Sequence, residues 1–120
     1  MYIAVSTGNC RLAVLAAISQ TEAKLYEDAQ RFEDECYNQL LAGYTHNHQR
    51  AASADDLNVM RNMAKSDREH AMESHSKKAE LHHLNVMKAM LDWTKDAEVI
   101  IDDGDFSLLQ DHLQEAEEPV

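Results

Sequence analysis

Leu15, Ile18, Glu22, Leu25, Ala29, Phe32, Cys36 and Gln39 recur at alternating spacings of three and four residues, which places them on one stripe of an α-helix. This is the a/d seam of a coiled coil, interrupted only by Glu22 and Gln39. Leu12, Tyr26, Tyr37, Leu40 and Leu41 widen the stripe. A helix with such a face must bury it against elements of similar length. Three glycines, one proline and 6% aromatic residues in 120 positions leave few turn formers and disfavour β-architectures. The sequence therefore predicts an all-α protein, an antiparallel long-helix hairpin or small helical bundle, forming one domain over residues 1–120.

Along the chain, residues 1–8 read as an N-terminal arm or short strand (MYIAV), with Ser6, Thr7, Gly8 and Asn9 as stop and cap residues. Helix 1 is expected over residues 9–43, ended by Gly43. Residues 44–52 (YTHNHQRAA) connect it to a second helical region over 53–103, opened by a Ser53/Asp56 capping box. That region is apolar at Leu57, Val59, Met60 and Met63, and very polar from Lys65 to Lys78. It turns apolar again at Leu81, Leu84, Met87, Met90, Leu91 and Trp93. One straight helix there would be about 70 Å long against about 50 Å for the first, at 1.5 Å per residue. A break near Ser74, His75 and Ser76 resolves the excess, as does a homodimer in which a second copy covers the overhang. Gly104 then closes the region, and Asp105 caps a short acidic helix over 105–117 carrying Phe106, Leu108, Leu109 and Leu113. Residues 115–120 are expected to fray.

Two cysteines, Cys10 and Cys36, are too few for a secreted disulfide framework. They lie more than six turns apart on the same expected helix, so they cannot bridge each other within it. A reducing, cytoplasmic setting follows as the expectation. The apolar run 12–18 (LAVLAAI) is too short to span a bilayer and lacks the basic leader of a signal peptide.

Metal chemistry on a helix needs ligands three or four residues apart, so that both side chains point at one ion. Asp67 and His70, His70 and Glu73, and Glu80 and His83 meet that spacing. Residues 66–73 (SDREHAME) resemble the second-helix metal motif of ferritin-like proteins, with Asp67 standing where that family has glutamate. The resemblance implies a four-helix bundle built from two hairpins, in which Glu22 completes a carboxylate site with Asp67 and His70 and with Glu27 or Glu73. The competing reading is a solvated helix face on which Glu73 pairs with Lys77 four residues on.

Catalytic signatures are missing. There is no glycine-flanked serine, no cysteine-nucleophile motif and no glycine-rich phosphate loop, so a non-enzymatic protein with no cofactor is expected. Met60, Met63, Met72, Met87 and Met90 serve either as core filler or as an adaptable contact surface.

Charge is the remaining signal. Residues 89–120 hold ten of the 22 acidic side chains and a single base, Lys95, within a chain of net charge −11. Such a field repels phosphates and membrane surfaces and attracts basic proteins, which argues against direct nucleic-acid or membrane binding. Asp92, Asp96, Glu98, Asp102, Asp103, Asp105, Asp111 and Glu115 are the expected partner-binding residues, carried on helices as a spaced array. In composition, residues 91–118 are similar to the acidic helices of phage anti-restriction proteins and other DNA-mimic inhibitors. That similarity implies a small viral-type inhibitor of a basic, nucleic-acid-handling protein. The alternatives are the ferritin-like metalloprotein above and a structural coiled-coil subunit or adaptor assembled through the seam.

Overall fold

Apolar residues at three- and four-residue spacing and the scarcity of glycine and proline produce long helices. The computed structural model, which describes residues 2–116 with side chains through Leu113, shows four of them. The order is β1 (Tyr2–Ser6), α1 (Thr7–His48), α2 (Ala54–Met72), α3 (Ser76–Trp93), β2 (Glu98–Asp102) and α4 (Asp103–Ala116). The fold is helical as predicted, with one short antiparallel strand pair. Among the described residues no helix is long and apolar enough to cross a membrane. The chain divides into two compact units, one made of the residues up to Ala23 and from Ala79 onward, the other of Lys24–Lys78.

In the first unit, β1 and β2 pair in the register Ile3↔Ile101 and Val5↔Val99. The second helical region was expected to run on to residue 103, yet α3 stops at Trp93 and residues 98–102 are a strand. The β-branched run Val99, Ile100, Ile101 suits a pleated surface, and pairing with β1 satisfies its backbone. Side chains then alternate: Val5 and Ile101 are buried, while Ile100 stands 72% exposed. Thr7 Oγ donates to the Asp96 carbonyl (2.6 Å), Thr7 N–H donates to the Ala97 carbonyl (2.9 Å), and Arg11 Nη2 donates to the Leu91 carbonyl at the end of α3 (2.6 Å). The buried face of α1 here is Cys10, Ala13, Val14, Ala17, Ile18 and Thr21. It is rotated from the expected seam, since Leu15 and Glu22 are exposed, and it joins Leu84, Met87, Leu91, Leu109 and Leu113 in one buried cluster. Gly104 does not close a helix, and Asp105 is not the cap. Gly104 sits in the first turn of α4, and Asp102 Oδ1 caps that helix by accepting from Asp105 N–H (2.8 Å).

In the second unit, the later part of α1 packs antiparallel to α2. Leu25, Ala29, Phe32 and Cys36 of the seam are half-buried, and Gln39 is exposed. The tie between the helices is polar. Buried Glu33 accepts from Arg61 Nη1 (3.1 Å) and Arg68 Nη1 (2.8 Å), and the Arg61 guanidinium lies 3.8 Å over the Tyr37 ring. The capping box is present: Ser53 Oγ accepts from Asp56 N–H, and the Asp56 carboxylate accepts from Ser53 N–H, both at 3.2 Å. Tyr44 OH donates to the same carboxylate (2.8 Å) and its ring stacks on His48. Those two contacts carry α1 past Gly43, which does not end it; Gln49, with φ 54°, takes the left-handed position after His48.

The expected break near Ser74–Ser76 is present between α2 and α3. His75 holds it, receiving Lys77 N–H on Nδ1 (3.0 Å) and donating from Nε2 to Asp28 (2.9 Å). The His75 and Lys24 hydrogen bonds, with the charges of Lys24 and Arg31, hold the Asp28 carboxyl below the ordinary aspartate range.

Gly43 lies inside a helix, and an added Cβ would meet nothing within 4 Å. Gly43→Ala should therefore raise stability by about 0.5–1 kcal/mol in chemical denaturation, and a loss would contradict its helical placement. A depressed Asp28 pKa contributes stability that is complete above the unfolded value of about 3.9 and is lost as pH falls through the lower folded value. Asp28→Asn should lower the melting temperature at neutral pH, with the difference from wild type shrinking as pH falls below the unfolded value of about 3.9. A constant difference across that range would refute the linkage.

Candidate functional site

Asp92 and the acidic residues after it are carried by three elements and the turn before β2, rather than by helices alone. Asp92 ends near Arg11, with Arg11 Nε 3.4 Å from its carboxylate. Asp96 and Glu98 are exposed where the chain enters β2. Asp102 is occupied as the α4 cap, and Asp103 is the first residue of that helix. Asp105 accepts from His83 Nε2 at 2.6 Å, and Asp111 is exposed on α4. The side chain of Glu115 lies outside the described residues, as do Glu117 and Glu118. The expected fraying falls largely there too, although the backbone of α4 continues to Ala116. The array is thus divided: some carboxylates hold the fold together, and others face solvent.

A groove of about 470 Å³ lies among these residues. One wall is α3, through Val86 and Met90; the other is β2, through residues 98–101. Cys10, Met87 and Leu91 form its buried floor. His83 and Asp105 mark one end, and Asp96 and Glu98 the other, because β2 runs back antiparallel to α3 after a short turn. Val86, Met90 and Trp93 sit at i, i+4 and i+7 on α3 with exposures of 43%, 67% and 86%. Three consecutive turns of one helix therefore present apolar side chains to water beside a carboxylate rim.

Sequence reasoning found the acids and missed this apolar centre. Met87 and Met90 were legible as a choice between core and contact surface; the structure buries Met87 and exposes Met90. Ile100 was hidden by the helical reading of its segment. Once residues 98–102 are taken as a strand, strict alternation puts it opposite Val99 and Ile101.

Cys10, His83 and Asp105 all line the groove. Burial first, and the Asp105 charge second, push the Cys10 thiol pKa up. This is the opposite of the environment that activates a cysteine nucleophile.

Of the residues with metal-ligand spacing, Glu22, Glu27 and Asp67 are exposed, and His70 Nδ1 and Glu73 lie 3.8 Å apart on the surface of α2. Among the described residues no group of three or more histidine, cysteine, aspartate or glutamate side chains stands where it could hold a metal ion. No family model, curated protein or solved structure matches this chain.

At pH 8, a small aromatic disulfide reagent should modify Cys36, which is half-buried, ahead of Cys10, whose modification should track global unfolding. Cys10→Ser and Cys36→Ser variants assign the two phases. Rapid reaction of Cys10 in the folded protein would show an accessible, activated thiol instead.

Proposed function

We propose that this chain is a non-enzymatic protein-binding module that docks a basic protein surface on its acidic C-terminal face, in a reducing, cytoplasmic setting consistent with its free thiols. The observation that carries this reading is the juxtaposition, along one groove, of exposed Val86, Met90 and Ile100 with Asp96 and Glu98. A face that served only solvation would not gather Val86, Met90 and Ile100, all exposed, around one groove. Aromatic and methionine side chains at the centre of a polar rim are the composition of a binding surface, in which the centre supplies affinity and the rim supplies selection and steering. Bases that bind phosphates are matched by spaced carboxylates. The partner class therefore fits a nucleic-acid-handling protein, which the module would inhibit by occupying its phosphate-binding surface.

A second reading, a coiled-coil subunit, draws on Leu12 and Leu15, three residues apart on α1 and 62% and 39% exposed. Under that reading the solution mass rises with concentration, and Leu15→Lys abolishes the rise.

The first reading is tested with a panel of purified basic nucleic-acid-binding proteins at ~0.05 M and ~0.5 M salt, with duplex DNA as competitor. The expected result is at least one complex that high salt weakens by about tenfold or more and that DNA displaces. Replacing Asp96, Glu98 and Asp111 by Asn, Gln and Asn should weaken it similarly. These residues are chosen because Asp102 and Asp105 hold α4, so their loss would confound binding with folding. A complex indifferent to both salt and the triple substitution would overturn the charge-based reading.

A further inference from the structure

Backbone polarity along β2 identifies more than charge. Thr7 N–H donates to the Ala97 carbonyl, so residues 7 and 97 form a hydrogen-bonded pair of the antiparallel ladder. Such pairs recur every second residue, so Val99 and Ile101 direct their N–H and C=O groups at β1. Glu98 and Ile100 direct theirs the other way. Among the described residues the sheet has two strands, so that side of β2 is a free edge. No hydrogen bond among the described residues engages the backbone of Glu98 or Ile100 on that side.

The groove lies along this edge. Four consecutive residues of β2 line it, no residue of β1 does, and α3 stands opposite. The four residues of β2 that line the groove offer an added strand about 13 Å of edge, at about 3.3 Å per residue.

We propose that this groove receives an extended, basic segment of the partner, which adds to β2 as a third strand. The inference rests on the basic-partner reading above and specifies how that partner is held. Backbone bonds to Glu98 and Ile100 supply the common affinity. Alternate side chains of the guest meet Val86, Met90 and the buried floor, so apolar residues are selected at every second position. Asp96 and Glu98, exposed at one end of the groove, select lysine or arginine at that flank of the guest. The same charges oppose a second copy of this chain. Pairing β2 with itself about Ile100 would set Glu98 against the partner copy's Asp102, and like charges directly opposed are unfavourable.

The probe is an end-capped heptapeptide alternating lysine and valine, titrated against the full chain with amide chemical shifts as the readout. Binding is expected, with the largest shifts at Val86, Met90 and residues 98–101. N-methylation of the three central peptide residues removes the guest's donors and should weaken binding at least tenfold. Exchanging lysine for glutamate should abolish it. Ile100→Pro removes the outward N–H and should act like N-methylation, whereas Ala4→Pro, on the outer edge of β1, should leave affinity unchanged. If Ile100→Pro does not fold, the methylated peptide on the wild-type chain decides.

Equal binding of the methylated peptide, or loss through Ala4→Pro instead, overturns strand addition. Salt-sensitive capture of basic proteins would then still uphold the charge-based reading. Absence of any lysine-peptide binding, alongside capture of basic proteins that Asp96, Glu98 and Asp111 control, likewise overturns strand addition alone.

Discussion

Pairing of β1 with β2 is the constraint on which the first unit depends. It joins segments separated by roughly ninety residues, so its hydrogen bonds and the packing behind it must offset the entropy of closing that loop. Thr7 and Arg11 then secure the join, one on the turn before β2 and the other on the last turn of α3. A register slip of one residue would turn Ile101 out to solvent and Ile100 in toward Leu84 and Leu109. The observed register determines which face of β2 is core, which backbone groups lie free, and where the groove runs.

The second unit solves a different problem. Its helices face each other with few large apolar residues, and buried Glu33 takes the place of a core side chain between Arg61 and Arg68. A buried carboxylate with two guanidinium partners contributes less to net stability than to choosing one arrangement, since losing either partner leaves charge uncompensated. Asp28 and His75 do the same at the corner between α2 and α3. Polar bonds have direction, and here they set alignment where hydrophobic contact alone would allow sliding.

Several features were legible in the residues because their causes are local. The Ser53/Asp56 capping box needs only four consecutive positions, and the break at residues 74–76 follows from a polar interval with serines and a histidine. Gly43 was misleading because the contacts that continue α1 beyond it, Tyr44 to Asp56 and to His48, include one that comes from another helix. The same holds for Asp105, whose carboxylate is taken by His83, leaving the capping role to Asp102. The seam was right in kind but rotated in the first unit, where Cys10, Ala13 and Ala17 are buried, small residues that a heptad count of large apolar side chains does not weigh.

Helical character, the hairpin, the break and the concentration of acids in the last quarter belong to the sequence by itself. Each arises from periodicity, from capping chemistry or from summed charge, and none requires distant residues to meet. Tertiary structure alone decided that residues 98–102 are a strand, because a β-branched run becomes one only when another strand supplies its hydrogen bonds. Tertiary structure also sorted the carboxylates into those that hold the fold and those that face solvent, and it left Val86, Met90, Trp93 and Ile100 beside the latter. Burial is a property of neighbours, and for this segment the neighbours lie at the opposite end of the chain.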